Sequence, residues 1–165
     1  MKYITDIYKI IEKEKILYEE RDLSKFKSKG LYIKLNGYKP MIFIDKKIIH
    51  ISNTYLSILA EELGHYFTTH GDLIENSKSF NDSLLKIKKE NLARKWASNF
   101  LINNDEFVQA LIACINTKYD MCEYFNVNHE ILDTKINAIL TDEKKYKEIK
   151  EKLQEHELQY NSCAI

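Results

Sequence analysis

The stretch Ala60-Glu61-Glu62-Leu63-Gly64-His65 decides how this chain is read. Glu61 and His65 stand four residues apart, so on a helix their side chains leave from one face. That is the spacing of H-E-x-x-H, in which two metal ligands lie one turn apart and a general base sits beside the first. Here Glu61 occupies the first ligand position and Glu62 the base position. Glutamate-rich helices are common, and on spacing alone the same residues also suit a solvated polar face.

Around this stretch, Leu56, Leu59, Ala60, Leu63 and Phe67 form an apolar stripe opposite Glu61, Glu62 and His65. Ser52 or Asn53 is suited to cap the start of the helix and Gly71 to close it. Gly64 is unusual inside so strong a helix pattern, where it costs about 1 kcal/mol relative to alanine. Close approach of another backbone or of a substrate would account for it.

Downstream, residues 75–82 read as a polar loop and residues 84–103 as a long helix with a main apolar stripe of Leu85, Leu92, Trp96 and Phe100. A second stripe aligns Glu90 with Ala93, Ala97 and Leu101. Small side chains admit a neighbouring helix, which would bury Glu90, and a buried carboxylate needs a metal, a cation or hydrogen-bond donors. A salt bridge to Arg94 on the same helix, or to a lysine elsewhere, is the alternative. Together Glu61, His65 and Glu90 supply three ligands and leave a fourth position for water, the pattern of a catalytic zinc site.

Upstream, residues 3–20 suit an amphipathic helix, and residues 31–35 and 41–44 suit short strands joined by a hairpin at Asn36-Gly37. Pro40 places the second strand at a sheet edge or stands at its first position. Residues 46–51 read as a third short strand. Beyond it, Asn104 begins a helix with Asp105 and Glu106 in its first turn. Residues 118–125 and 128–140 read as two short helices, with Asn128 as N-cap and Val127 stapled to Leu132. Residues 141–159 are rich in Lys and Glu and read as a solvated terminal helix.

Composition sets outer bounds. A chain of 165 residues suits one domain, or one with a helical appendage, and one proline and four glycines favour a helix-rich fold. The 25 basic and 25 acidic residues balance, which argues against a nucleic-acid binder. The three cysteines (Cys114, Cys122 and Cys163) form no C-x-x-C and are odd in number, so they read as reduced thiols of a cytoplasmic protein. The first residues do not resemble a signal peptide, and no apolar run is long enough to span a bilayer.

Leu59-Ala60-Glu61-Glu62-Leu63-Gly64-His65-Tyr66-Phe67 resembles the active-site helix of the ImmA/IrrE metallopeptidases. Glu90-Asn91-Leu92-Ala93-Arg94-Lys95-Trp96-Ala97 resembles their second signature, a glutamate followed by Ala, an aromatic residue and Ala. Residues 30–32 and 42–45 are similar to the family's sheet, and the resemblance covers residues 3–140. It implies an α+β, zincin-like metallopeptidase domain, mostly helical with a small three-stranded antiparallel sheet, followed by C-terminal helices. The expected division is residues 1–116 for that domain, 117–140 for a short helical pair packed on it, and 141–165 for a charged helix or tail.

The resemblance further implies Glu61, His65 and Glu90 as metal ligands and Glu62 as general base. Zn²⁺ is the expected cofactor, with Mn²⁺ or another divalent ion as the alternative, because oxygen ligands favour harder cations. Family members lie beside helix-turn-helix repressor genes in prophages and integrative elements and act as anti-repressors. This implies a helix-turn-helix repressor as protein substrate, no direct nucleic-acid contact and no membrane partner. The departure is Glu61, where the family pattern has histidine. Two carboxylates and one imidazole offset the whole charge of a divalent ion, which should then polarise its water less.

Two other functions suit the sequence. One is a repressor-binding protein of the same fold with little or no activity. The other is a helix-turn-helix DNA-binding protein built on residues 119–140, whose second helix offers Glu130, Asp133 and one lysine, Lys135, a poor surface for phosphates. Tyr66, Tyr32 and His70 are the candidates for an oxyanion donor. His50, His129 and His156 read as surface or satisfied residues. Strand 41–44, if it lies at an edge, would align an extended substrate by β-addition.

Overall fold

The computed structural model describes residues 3–26, 28–69 and 80–160. In chain order the elements are α1 (Ile4–Lys13), β1 (Leu17–Arg21), β2 (Gly30–Ile33), β3 (Met41–Asp45), α2 (Ser52–Thr68), α3 (Phe80–Leu101), α4 (Asn104–Ile112), α5 (Lys118–Phe125), α6 (His129–Leu140) and α7 (Glu143–Tyr160). The fold is α+β and mainly helical, with α2 packed between the sheet and α3. Among the described residues no helix is long and apolar enough to cross a membrane.

The sheet has the order β1-β3-β2, with β2 antiparallel and β1 parallel to β3. It is therefore mixed, not purely antiparallel as the sequence led us to expect. Side chains alternate between its faces. The registers put Tyr18, Ile42 and Tyr32 in one row and Glu20, Ile44 and Gly30 in the next, all on the face toward α2. Ile42 and Ile44 are fully buried there with Leu59 and Leu63 of α2. Pro40 stands just before β3, whose central place excludes the edge position for that strand. At the hairpin, Tyr38 N–H donates to the Leu35 carbonyl at 3.1 Å and Gly37 alone takes the positive φ, +80°. The expected third strand at residues 46–51 is instead a short 3-10 turn, Lys46–Ile48, because Asp45 caps it by accepting from Lys47 N–H at 3.0 Å.

The missing strand is β1, inside the stretch expected as one long helix. Helix α1 ends in a Schellman turn: Lys15 N–H donates to the Glu12 carbonyl and Ile16 N–H to the Ile11 carbonyl, with Lys15 at φ +55°. Helix α4 closes the same way on Cys114, at φ +59°. The first strand residue after α1 is Leu17, and the inward row of β1 holds only Tyr18 and Glu20, so no apolar alternation marks it. The hydroxyls of Tyr18 and Tyr55 both donate to Glu20, at 2.8 and 3.3 Å.

Helix α2 starts with Ile51 as its N-cap residue, without a side-chain cap; Ser52 accepts a hydrogen bond from Asn126 at 2.8 Å instead. It ends at Thr68, and Gly71 lies outside the described residues. Residues 75–79 of the expected loop also lie outside them, whereas α3 already runs from Phe80. The core stripe of α3 is Ala93, Ala97 and Leu101, almost wholly buried, while Leu85 and Leu92 are exposed. Trp96 stacks on the half-exposed Phe67 of α2 and on Phe100, at 4.9 and 5.0 Å between ring centroids.

Helix α4 begins at Asn104 as expected, with Asn103 as its cap accepting from Asp105 N–H, and α6 opens on the expected cap, Asn128, which accepts from Ile131 N–H. Helix α7 is more than a solvated tail: Ile149 is buried against α4 and α6, with Leu153 packed beside it. Cys122 is a free, buried thiol as expected, and Cys163 lies outside the described residues.

Lys135 of α6 is 2 % exposed, and its ammonium donates to the amide oxygens of Asn99 and Asn104 at 3.0 and 2.6 Å. Burial, with a smaller push from Lys145, brings its pKa down to about 8. Folding therefore disfavours the charged form, at full cost below pH 8, and that cost fades as pH rises toward the ordinary lysine value. Stability measured by urea unfolding should rise between pH 8 and 10 by at most about 3 kcal/mol more in the wild type than in Lys135→Met. Separately, Lys15→Gly should raise stability by about 0.5–1 kcal/mol, because glycine accepts the left-handed position without a β-carbon clash.

Candidate metal centre and active site

Helix α2 is buried on both sides. Its apolar stripe faces the sheet, while Glu61, Glu62 and His65 are only 6, 8 and 4 % exposed. These three are not a solvated polar face. The reason lies in the contact with α3. A β-carbon on Gly64 would lie 2.4 Å from the Ala93 carbonyl oxygen, so the two backbones touch where Gly64 meets Ala93. Close helix approach explains the glycine and brings Glu90, one turn before Arg94, to the same seam.

Across that seam His65 Nε2 lies 3.3 Å from Glu90 Oε2. On its other side the His65 ring has Thr69 Oγ1 at 3.4 Å from Nδ1 and the ring of Tyr32 stacked parallel, with centroids 6.5 Å apart. The His65 interaction holds the Glu90 carboxyl below the usual carboxylate range, against a smaller opposing effect of burial. Glu61 does not join them directly. Arg94 donates to its Oε1 from Nε at 3.1 Å and from an Nη at 2.8 Å. Arg94 thus pairs with Glu61, not with Glu90 as the salt-bridge alternative had it. Burial raises the Glu61 pKa, Arg94 pulls it back, and the net direction is upward.

Glu62 points the other way from Gly64, toward the sheet. A β-carbon on Gly30 would meet Glu62 Oε1 at 2.4 Å, so only a glycine lets β2 lie this close. The Tyr32 backbone N–H favours the ionised form of Glu62. Burial first, then the charges of Glu61 and Glu90, push the Glu62 pKa well up, and the Tyr32 N–H offsets only part of this. The result is a dry carboxyl poised toward its protonated form.

Glu61, Glu62 and Glu90 line one open cleft of about 480 Å³. Its other walls are Lys29 and Gly30 of the sheet side, Arg94 of α3, and Asn128, His129 and Glu130 at the start of α6.

The sequence model of the IrrE N-terminal-like domain family, Peptidase_M78, matches residues 11–137. The chain belongs to this family. Neither a curated protein nor a solved structure matches it. Membership in a Peptidase_M78 family carries a zincin-like fold, a metallopeptidase-type role and an implied divalent metal.

Do the residues present fit that metal? Among the described residues, no three of His, Cys, Asp or Glu already form a group arranged to hold an ion. Two donors, His65 and Glu90, face each other at close range, and the third, Glu61, carries a cation already in the form of the Arg94 guanidinium. One nitrogen and two carboxylate donors are the types that suit a divalent cation of borderline or hard character. In chemical type the donor set fits such an ion, while Glu61 is held by Arg94 and not against His65 and Glu90.

Several cleft residues were missed from sequence. Arg94 was considered only as a partner of Glu90, although its place one turn along the same helix face aims it at the same neighbour. His129 and Glu130 carried no local signal, since they reach the cleft only because α6 packs on α3. Of the oxyanion candidates, Tyr66 donates its hydroxyl to Glu14 at 2.9 Å, Tyr32 is buried behind His65, and His70 lies outside the described residues.

Gly64→Ala tests the seam. The new methyl meets backbone, not a movable side-chain tip, so overpacking should cost about 1–3 kcal/mol despite better helix propensity. Denaturant unfolding should register that loss, and a metal titration should register weaker binding as His65 and Glu90 are pushed apart.

Proposed function

We propose that this chain is a metal-dependent endopeptidase that cleaves a helix-turn-helix repressor of a phage or other mobile element, acting as a cytoplasmic anti-repressor. The observation that carries the reading is that Glu61, Glu62 and Glu90 line one cleft of a Peptidase_M78 domain, with His65 held against Glu90. Zn²⁺ is the expected ion and Mn²⁺ the alternative.

His65 and Glu90, with Glu61 when released from Arg94, would hold the ion. Its chemistry there is that of a Lewis acid, polarising a water and a peptide carbonyl. Glu62 takes the proton from the attacking water as the new C–O bond forms. It returns that proton to the amine nitrogen as the C–N bond breaks. The surroundings of Glu62 suit both halves: the Tyr32 N–H favours the ionised form, and burial favours the protonated one. The outer edge of β2, whose Gly30 lies against Glu62, offers backbone groups to an extended peptide. In this reading the substrate aligns on β2, since β3, the strand at residues 41–44, is central in the sheet.

The Arg94–Glu61 pair favours a second reading, a repressor-binding protein that needs no metal. The two separate in one experiment. Protein loaded with Zn²⁺ or Mn²⁺ is incubated with the repressor encoded beside it, and products are followed by mass spectrometry. Wild type should cleave. Glu62→Gln should keep the metal and lose at least about 100-fold in rate. Cleavage at the normal rate by Glu62→Gln rules out the assigned base. Intact repressor that co-elutes with loaded wild type favours the binding reading.

A further inference from the structure

We propose that Arg94 is a built-in cation that competes with the metal for Glu61, and that loading the site moves its guanidinium from Glu61 toward Glu130. The proposal rests on the reading that a divalent ion binds between Glu61, His65 and Glu90.

Three observations lead to it. First, Arg94 directs two N–H groups, from Nε and an Nη, at one oxygen of Glu61, at 3.1 and 2.8 Å. Bonds of this kind, between charged groups with one partner 8 % exposed, are strong ones. An ion that takes Glu61 as a ligand must share that carboxylate with a fixed positive charge or displace it. Two cations on one buried carboxylate repel each other strongly where the dielectric is low.

Second, Arg94 has room to leave. Its side chain is 31 % exposed, against 8 % for Glu61, so it lies at the mouth of the cleft and Glu61 at the floor. Third, another carboxylate shares its cleft. Glu130, at the start of α6, lines the same space as Arg94, Glu61 and Glu90. Three carboxylates therefore border the space into which the guanidinium can move. Of the three, Glu61 and Glu90 become metal ligands on loading, and Glu130 is the one left over.

Glu61 then has a positive partner in both states of the cleft. Without metal, Arg94 neutralises Glu61. With metal, the ion takes over that task and Arg94 pairs with Glu130. The arginine keeps the buried carboxylate satisfied during folding and raises the metal concentration needed to load the site.

The experiment measures metal binding, not turnover. Mn²⁺ and Zn²⁺ are titrated calorimetrically into chelator-treated wild type, Arg94→Gln, Arg94→Lys and Glu130→Gln. Thermal unfolding is recorded with and without each ion. Arg94→Gln should bind about tenfold or more tightly than wild type, since a charge-assisted hydrogen bond no longer has to be broken. It should unfold at lower temperature without metal and gain more from loading. Arg94→Lys, which keeps the charge but loses the fork, should fall between. Glu130→Gln should bind more weakly than wild type. Equal or weaker binding by Arg94→Gln overturns the competition while leaving the metal site intact, and Arg94→Lys decides the same question if Arg94→Gln does not fold. Binding by none of the four proteins removes the metal reading itself, and this proposal with it.

Discussion

Negative charge buried in the seam between α2 and α3 must be balanced, and the site is organised around that need. Glu61, Glu62 and Glu90 all belong to this region, with Glu61 and Glu62 nearly inaccessible to water. A carboxylate so placed is tolerable only when it is paired, hydrogen-bonded or protonated. Each of the three uses a different remedy: Glu61 an arginine, Glu90 an imidazole, and Glu62 a backbone N–H with a strong tendency to hold a proton. The same three remedies leave these carboxylates in three different electrostatic settings, which the proposed metal and proton-transfer roles would use. Structural need and chemical capacity coincide here, which is why buried ionisable groups in a cleft point to function.

Two absent side chains make the arrangement possible. Gly64 lets α3 touch α2 through main-chain atoms, and Gly30 lets β2 lie against Glu62. The sheet adds the rest of the support from one face: Tyr32 stacks behind His65 and its N–H favours the ionised form of Glu62, while Ile42 and Ile44 anchor the strands in the core. The helices α4 to α7 form a second layer of packing, and through α6 they bring His129 and Glu130 to the cleft.

What local sequence marks well, it marks through short-range chemistry. The cap Asn128, the start of α4 at Asn104, the turn at Gly37 and the four-residue spacing of Glu61 and His65 each act within a few residues. The link from Gly64 to close packing was readable too, because a helical glycine needs a reason. Other features were decided at longer range. The end of α1 hides behind Lys15, a residue that gives no hint of a left-handed turn. Strand β1 keeps one half-buried tyrosine and an inward glutamate, so its pairing with β3 is what makes it a strand. On α3 the large apolar residues Leu85 and Leu92 look like the core stripe, yet small residues take that place because the neighbouring backbone is so near. The partner of Glu61 was hidden for a similar reason: Arg94 lies 33 positions away in the chain.

The meeting of Gly64 with the Ala93 carbonyl has one more implication. Where side chains set the spacing of two helices, a drift of sizes on either surface slowly alters it. Here main chain rests on main chain, so the gauge of the seam is fixed by hard covalent geometry. Lineages or designers can recolour its charges at positions 61, 90 and 94, and the track width will stay the same.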